Sequence, residues 1–245
     1  MNFYATILEK KGQQKKMLAV LLDPDKCFGS VRENVLIQLL KLPPDFIFIG
    51  GSKTSNSTHE LLNSLKEIPV PKVLFPGDAS QFTPEADALL FLSLISGRNA
   101  DYLIGQHVTS AIEIKKSKIE VIPTAYILID GGNETAVKKI SNTTPITFDD
   151  VELCKSTAIA GELLGLKMTY LEAGSGAENS VSENIIRAVK NEILHPLIVG
   201  GGIKSILQLQ NAFSAGADLV VVGNLFETHP EKILEFVKNT NEYVE

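Results

Sequence analysis

The stretch "PLIVGGGIKS" (196–205) sets an apolar run of strand character directly before Gly200, Gly201 and Gly202. Glycine loses more backbone freedom on folding than any other residue, so three in a row weaken any strand or helix they enter. Their place is a loop, where bare backbone can come close to something. Similar loops follow two other apolar runs, as "EAGSGA" (172–177) after "MTYL" and as "GNLF" (223–226) after "ADLVVV".

Working outward, the run before these glycines is one of eight. The others are "MLAVLLDP" (17–24), "FIFIGG" (46–51), "PKVLFPGD" (71–78), "ALLFLSLIS" (88–96), "EVIPTAYILI" (120–129), "MTYLEAGSG" (168–176) and "ADLVVVGN" (217–224). Each is nearly continuously apolar, as parallel strands covered on both faces are. Segments of helical period lie between several of them, at 31–41, 151–165, 182–194, 205–216 and 230–239. Gly165 and Gly216 stand where helix C-terminal glycines belong, and Pro230 and Glu231 open the last helix.

Eight strands alternating with helices in 245 residues predict an α/β fold, the (β/α)8 TIM barrel, as a single domain over 1–245. The alternative, a doubly wound open sheet, carries its glycine fingerprint after the first strand. Here the first strand ends in "DPDK" and the glycines come later. The connection "PGDASQFTPEAD" (76–87) is too short and too rich in breakers for a full helix, so a loop or short irregular helix is expected after strand three.

The formal net charge of −6 and pI near 5.4 argue against a nucleic-acid partner, though not against a small polyanion held by backbone amides and a metal. Cys27 and Cys154 form no metal or disulfide pattern and suit a reducing cytoplasm. The charged N-terminus is unlike a signal peptide, and no apolar run is long enough for a transmembrane segment.

In this barrel type the chemistry sits at the C-terminal ends of the strands, and phosphate is held after strands seven and eight. Those are the positions of "GGGIKS" and "GNLF". Three further features narrow the reaction. Asp23 ends strand one and suits a hard divalent cation, or else it or Asp25 caps the next helix. Ser52 ends strand two and can contact a metal or phosphate, while Ser55 or Ser57 caps the following helix. Glu172 sits beside a glycine loop meant for an anion, an awkward place for a carboxylate unless it takes a proton or binds a hydroxyl. The bland alternative is a rim carboxylate paired with a lysine. His59, His107, His195 and His229 read as structural or solvated, with His107 in a loop.

Together "LLDPDK", "FIFIGGSKTS", "VLFPGDASQFTPEADALLFLSLISGRNADYLIG", "VIPTAYILIDGG", "TYLEAGSGA", "IVGGGIKS" and "ADLVVVGN" resemble the geranylgeranylglyceryl phosphate synthase family, closer to its archaeal and bacterial branch than to the heptaprenyl one. The resemblance covers nearly the whole chain. It implies a Mg²⁺-dependent prenyltransferase that joins the C3 hydroxyl of sn-glycerol 1-phosphate to C1 of a polyprenyl diphosphate. It further implies Mg²⁺ on Asp23 and Ser52, and glycerol phosphate along Tyr170, Leu171, Glu172, Ala173, Gly174, Ser175 and Gly176, on Gly201 and Gly202, and on Gly223 and Asn224. Glu172 would accept the hydroxyl proton, and the protein would form homo-oligomers. The prenyl tail needs an apolar groove, for which 82–97 and Tyr126 are candidates, opened by the missing helix. Some relatives carry a lysine where this chain has Leu21, so Lys53 or Lys204 is expected to supply that charge. In the strand-five loop, Ala125 and Gly131 depart from the family's glycine and proline. A sugar-phosphate isomerase, or a barrel that binds a phosphorylated ligand without catalysis, are the competing readings.

Overall fold

The computed structural model describes residues 2–52 and 54–244. Eight parallel strands close into a barrel in chain order. They are β1 (Met17–Leu22), β2 (Phe46–Ile49), β3 (Lys72–Leu74), β4 (Ala88–Leu94), β5 (Glu120–Leu128), β6 (Met168–Glu172), β7 (Leu197–Gly200) and β8 (Leu219–Val222). β8 closes on β1 with Leu219 opposite Met17 and Val222 opposite Val20. All eight lie within the apolar runs read from the sequence.

Alternation along each strand sorts the core into two. Met17, Ala19, Phe46, Phe48, Met168 and Tyr170 fill the barrel, while Leu18, Val20, Ile47, Ile49 and Leu171 pack against the helices. Side chains two apart share a face. Following each inward series to the strand end and beyond therefore reaches Asp23, Ser52, Glu172, Gly202 and Gly223. The barrel's geometry thus assembles its upper rim from residues far apart in the chain.

The expected helices form as α2 (Gly29–Lys41), α6 (Val151–Leu163), α7 (Glu183–Lys190), α8 (Ile206–Ser214) and α10 (Lys232–Asn241). Gly165 and Gly216 follow α6 and α8 with φ of +83° and +116°, the left-handed conformation that ends a helix. Ser57 caps α3 (Thr58–Ser64), its side chain accepting from the Glu60 N–H. Pro230 falls outside α10, which begins at Lys232.

Four helices were not anticipated: α1 (Phe3–Gly12), α4 (Gln106–Ser117, entered through a π-turn at Asp101–Gly105), α5 (Ala136–Ser141) and α9 (Asn224–Thr228). α4 carries His107, which is therefore helical and not in a loop. α1 plugs the bottom of the barrel, with Phe3 edge-on to Phe46 at 4.8 Å between ring centroids. The Glu120 carboxylate holds it there, accepting the first-turn N–H groups of Phe3 and Tyr4 at 2.7 and 3.1 Å. Those donors have no partner inside their own helix, so a carboxylate satisfies both their bonding and the helix dipole.

Between β3 and β4 there is no full helix, only a 3₁₀ turn at Ala79–Gln81. Asp78 starts it by accepting the Ser80 N–H at 2.8 Å. That flank of the barrel is left to loops and to α4.

Candidate active site

At the C-terminal rim a cavity of about 630 Å³ is lined by Asp23, Ser52, Glu172 and the three glycine loops. A second, narrower and strongly apolar cavity runs beneath the uncovered flank between β3 and α4, lined by Phe82, Leu90, Leu92, Tyr102, His107 and Ser110 among others. The two share a wall formed by Gly51, Ser52, Phe75, Tyr126, Val137 and Ile140. A chamber that holds the polar side chains therefore adjoins an apolar groove at an aromatic threshold. Phe75 stacks on Tyr170 at 5.2 Å, and Tyr126 packs against both rings.

Glu172 ends β6 and is 5% exposed. Burial pushes its carboxyl up to about 7, against the pull of the Gly174 N–H, which donates to Oε1 at 2.6 Å. The Tyr170 hydroxyl lies near this carboxyl and lowers its pKa further, yet it makes no aligned hydrogen bond. A buried hydroxyl without an acceptor is rare enough to call for an explanation. Both groups face the polar chamber. Among the described residues no lysine pairs with Glu172.

The glycine loops meet around this carboxyl. Gly201 (φ +80°) and Gly202 (φ +70°) take backbone conformations that side chains resist. Among the described residues the N–H groups of Gly201, Gly202, Gly223 and Asn224 find no protein acceptor. Convergent free N–H groups at this rim make an anion cradle. Tyr170, Gly174, Ser175 and Gly176 line the same chamber, whereas the side chains of Leu171 and Ala173 turn outward into the helix-facing core.

Asp23 and Ser52 line the chamber on the opposite side. Asp23 does not cap α2, whose N-cap Phe28 makes no side-chain bond. Its Oδ1 accepts the Asp25 N–H at 3.0 Å and its backbone N–H donates to Glu227. Burial is the main cause raising the Asp23 carboxyl, and Glu227 is raised for the same reason. Asp25 is occupied elsewhere, accepting the N–H groups of Ser55 and Asn56 and so fixing the loop after β2. The Gln81 amide grips that loop from the other side. Its Nε2 donates to the Gly51 carbonyl at 2.7 Å and its Oε1 accepts the Gly51 N–H at 3.2 Å.

Of the lysines expected to supply charge here, only Lys204 is described, and it lines the chamber. Lys53 lies outside the described residues, and Lys204 turns to the Glu178 carbonyl. A second lysine of the chamber is Lys26, which, like Gln81 and Glu227, carries no signal in the sequence. Lys26 follows a tight turn in which its own N–H and that of Cys27 both donate to the Asp23 carbonyl. "DPDK" reads as a surface turn, and nothing in it says that the chain folds the lysine inward.

The sequence pattern of the PcrB family matches residues 10–241. The geranylgeranylglyceryl phosphate synthase of Flavobacterium johnsoniae is 48% identical over 92% of this chain and 94% of its own length. That of Sulfolobus acidocaldarius is 35% identical over 97% of this chain and 92% of its own. Among solved structures, the (S)-3-O-geranylgeranylglyceryl phosphate synthase of Thermoplasma acidophilum, in complex with its substrate sn-glycerol-1-phosphate, superposes with a TM-score of 0.89 at 31% identity. It spans 99% of this chain and all of that one. Matched nearly end to end by bacterial and archaeal relatives alike, the chain belongs to the PcrB family.

Proposed function

We propose that the chain is a prenyltransferase that joins the C3 hydroxyl of sn-glycerol 1-phosphate to C1 of a polyprenyl diphosphate, forming an ether and releasing pyrophosphate. The observation that carries this reading is the pairing of two cavities at one threshold. A roomy chamber with a glycine-loop cradle and a poised carboxyl adjoins an apolar groove. A sugar-phosphate isomerase has no use for such a groove, and a mere binding barrel has no use for a carboxyl kept near neutrality.

In this reading Gly201, Gly202, Gly223 and Asn224 receive the acceptor's phosphate on their N–H groups, and the Tyr170–Gly176 segment holds its glycerol. Glu172 takes the C3 hydroxyl proton as that oxygen bonds to C1 and the bond from C1 to the diphosphate breaks. Tyr170 turns its unpartnered hydroxyl to the glycerol or to Glu172, fixing the acceptor in line. The chain's contribution is largely positioning and exclusion of water. The prenyl tail lies in the groove beyond Phe75 and Tyr126.

Asp23 and Ser52 offer hard oxygen donors, and among the described residues no cluster of three acidic, histidine or cysteine side chains forms a closed metal cage. That set fits Mg²⁺, which takes one or two protein ligands and completes its shell with phosphate oxygens and water. Bound there, it would offset the charge growing on the departing diphosphate. No helix among the described residues is long and apolar enough to cross a membrane. Both cysteines are buried free thiols, raised to about 12 by burial, which supports a reducing, cytoplasmic setting. Homo-oligomerisation belongs to the same proposal, by analogy with the family.

Radiolabelled sn-glycerol 1-phosphate incubated with geranylgeranyl diphosphate and Mg²⁺ should enter the organic phase, and excess EDTA should abolish that transfer. Label that stays aqueous with every prenyl donor tried would end the reading. The groove has its own test. Ser110 is 8% exposed on α4 and faces the groove. A bulky Ser110→Trp should raise KM for the C20 donor about tenfold or more, since one indole displaces several methylenes at ~0.8 kcal/mol each. The C10 donor and the acceptor should be spared. Equal effects on both donors would place the tail elsewhere.

A further inference from the structure

The polar chamber gathers negative charge. Asp23 and Glu227 line it, and the proposed reaction, on which this inference rests, brings a phosphate and a diphosphate into it. At position 21, on the same inward face, the chain offers only a leucine. Like charges in a partly dehydrated space repel strongly unless a cation lies among them. The Lys26 ammonium occupies that point. It lies 3.1 Å from Asn224 Oδ1 and 3.4 Å from Ser175 Oγ, residues of the loops after β8 and β6. It lies 3.5 Å from Glu227 Oε2 and 3.8 Å from Asp23 Oδ2.

These four contacts differ in kind. Asn224 and Ser175 bond to each other as well, Ser175 Oγ donating to Asn224 Oδ1 at 2.8 Å, and so bring the two glycine loops together. Lys26 ties this pair to the loop after β1. Glu227 belongs to α9, and its side chain is only 6% exposed, against 44% for Lys26. Its Oε1 accepts the Asp23 N–H at 3.2 Å, so its position is set by the barrel itself. A buried carboxylate anchored to β1 and aimed at a half-exposed lysine fixes where that lysine's charge stays.

We propose that Lys26 binds the phosphate of the glycerol acceptor, bridging the Ser175 and Asn224 loops to it, and that Glu227 is the positioning residue that parks the ammonium there. Lys26 reaches the chamber from the turn that follows β1. On acceptor binding, phosphate oxygens take over from Asn224 and Ser175 as partners of the ammonium, and Glu227 keeps its tail in place.

The test is calorimetric binding of sn-glycerol 1-phosphate alone, alongside steady-state kinetics, on wild type, Lys26→Met, Lys26→Arg and Glu227→Gln. A hydrogen bond to a charged group is lost in Lys26→Met, so acceptor Kd and KM should rise about 10- to 100-fold. The donor KM should stay within about threefold, and inorganic phosphate should lose potency as a competitor to the same extent. Lys26→Arg should recover most of the loss, and Glu227→Gln should show a smaller rise in acceptor KM. A purely structural lysine would lower the melting temperature and kcat without this split. Unchanged acceptor Kd in Lys26→Met, or a rise in donor KM alone, would overturn the assignment. Wild type that binds glycerol phosphate in a Lys26-dependent way but transfers no prenyl group would sink the reaction and leave Lys26 standing.

Discussion

Glu172→Gln is expected to lower kcat by about 10²–10⁴-fold, the range that a positioned general base contributes, with acceptor affinity within a few-fold of wild type. The amide keeps the Oε1 that accepts the Gly174 N–H, so the loop stays in place and only the proton acceptor is lost. The wild-type pH profile should show the same group. An ordinary glutamate ionises near 4.5, whereas burial moves this one to about 7. Only the ionised form can take a proton, so kcat/KM should fall tenfold per unit below pH 7 and level off above it. A profile flat down to pH 5 would mean another base.

The same shift fixes a stability effect of opposite sign. A folded-state pKa above the unfolded one means that folding favours the protonated form. The burial penalty is absent below about pH 4.5, grows between 4.5 and 7, and is complete above 7. At 1.36 kcal/mol per unit it amounts to about 3 kcal/mol. Glutamine carries no charge, so Glu172→Gln should melt roughly 6–10 °C above wild type at pH 8. The gap should close toward pH 4.5. An inactive variant more stable than wild type, and only at high pH, separates a residue kept for chemistry from one kept for packing.

Local constraints show in a sequence and long-range partners do not. All eight strands were legible because strands covered on both faces must be apolar throughout, a constraint visible in each segment alone. The loops after β6 and β7 were legible because Gly174, Gly176, Gly201 and Gly202 take left-handed angles that side chains resist. α1 escaped because its first turn depends on Glu120, more than a hundred residues away, and only Phe3 and Ile7 on it are buried. Gln81, Glu227 and Lys26 escaped for the same reason. Each does its work through a partner 30 to about 200 residues distant, brought near only by barrel closure. Asp23, Ser52 and Glu172 were readable because a strand's alternation, extended past its end, aims them at the rim without further information.

Gly201→Ala should be among the damaging single-methyl changes at the rim. The added Cβ would lie 2.4 Å from Glu172 Oε1, 2.6 Å from the Gly174 nitrogen and 2.9 Å from the Ala173 nitrogen. None of these is a loose side-chain end. Two are backbone, and the third is the carboxyl that Gly174 holds. Relief therefore requires the loop after β6 to retreat from the loop after β7, which opens the anion cradle and misplaces the base together. The left-handed angle adds about 1–2 kcal/mol and overpacking about 1–3, so stability should fall by roughly 2–5 kcal/mol. Acceptor affinity should fall more than a hundredfold, since several aligned N–H contacts, each worth about 1.5–3 kcal/mol to a charged group, are lost at once. Gly165→Ala is the control. It has a similar φ of +83° but meets nothing within 4 Å. It carries the strain without the collision, so it should cost about 1–2 kcal/mol and leave acceptor binding intact. Were Gly201→Ala to behave like Gly165→Ala, with wild-type affinity for glycerol phosphate, the close meeting of these two loops would not be what holds the phosphate.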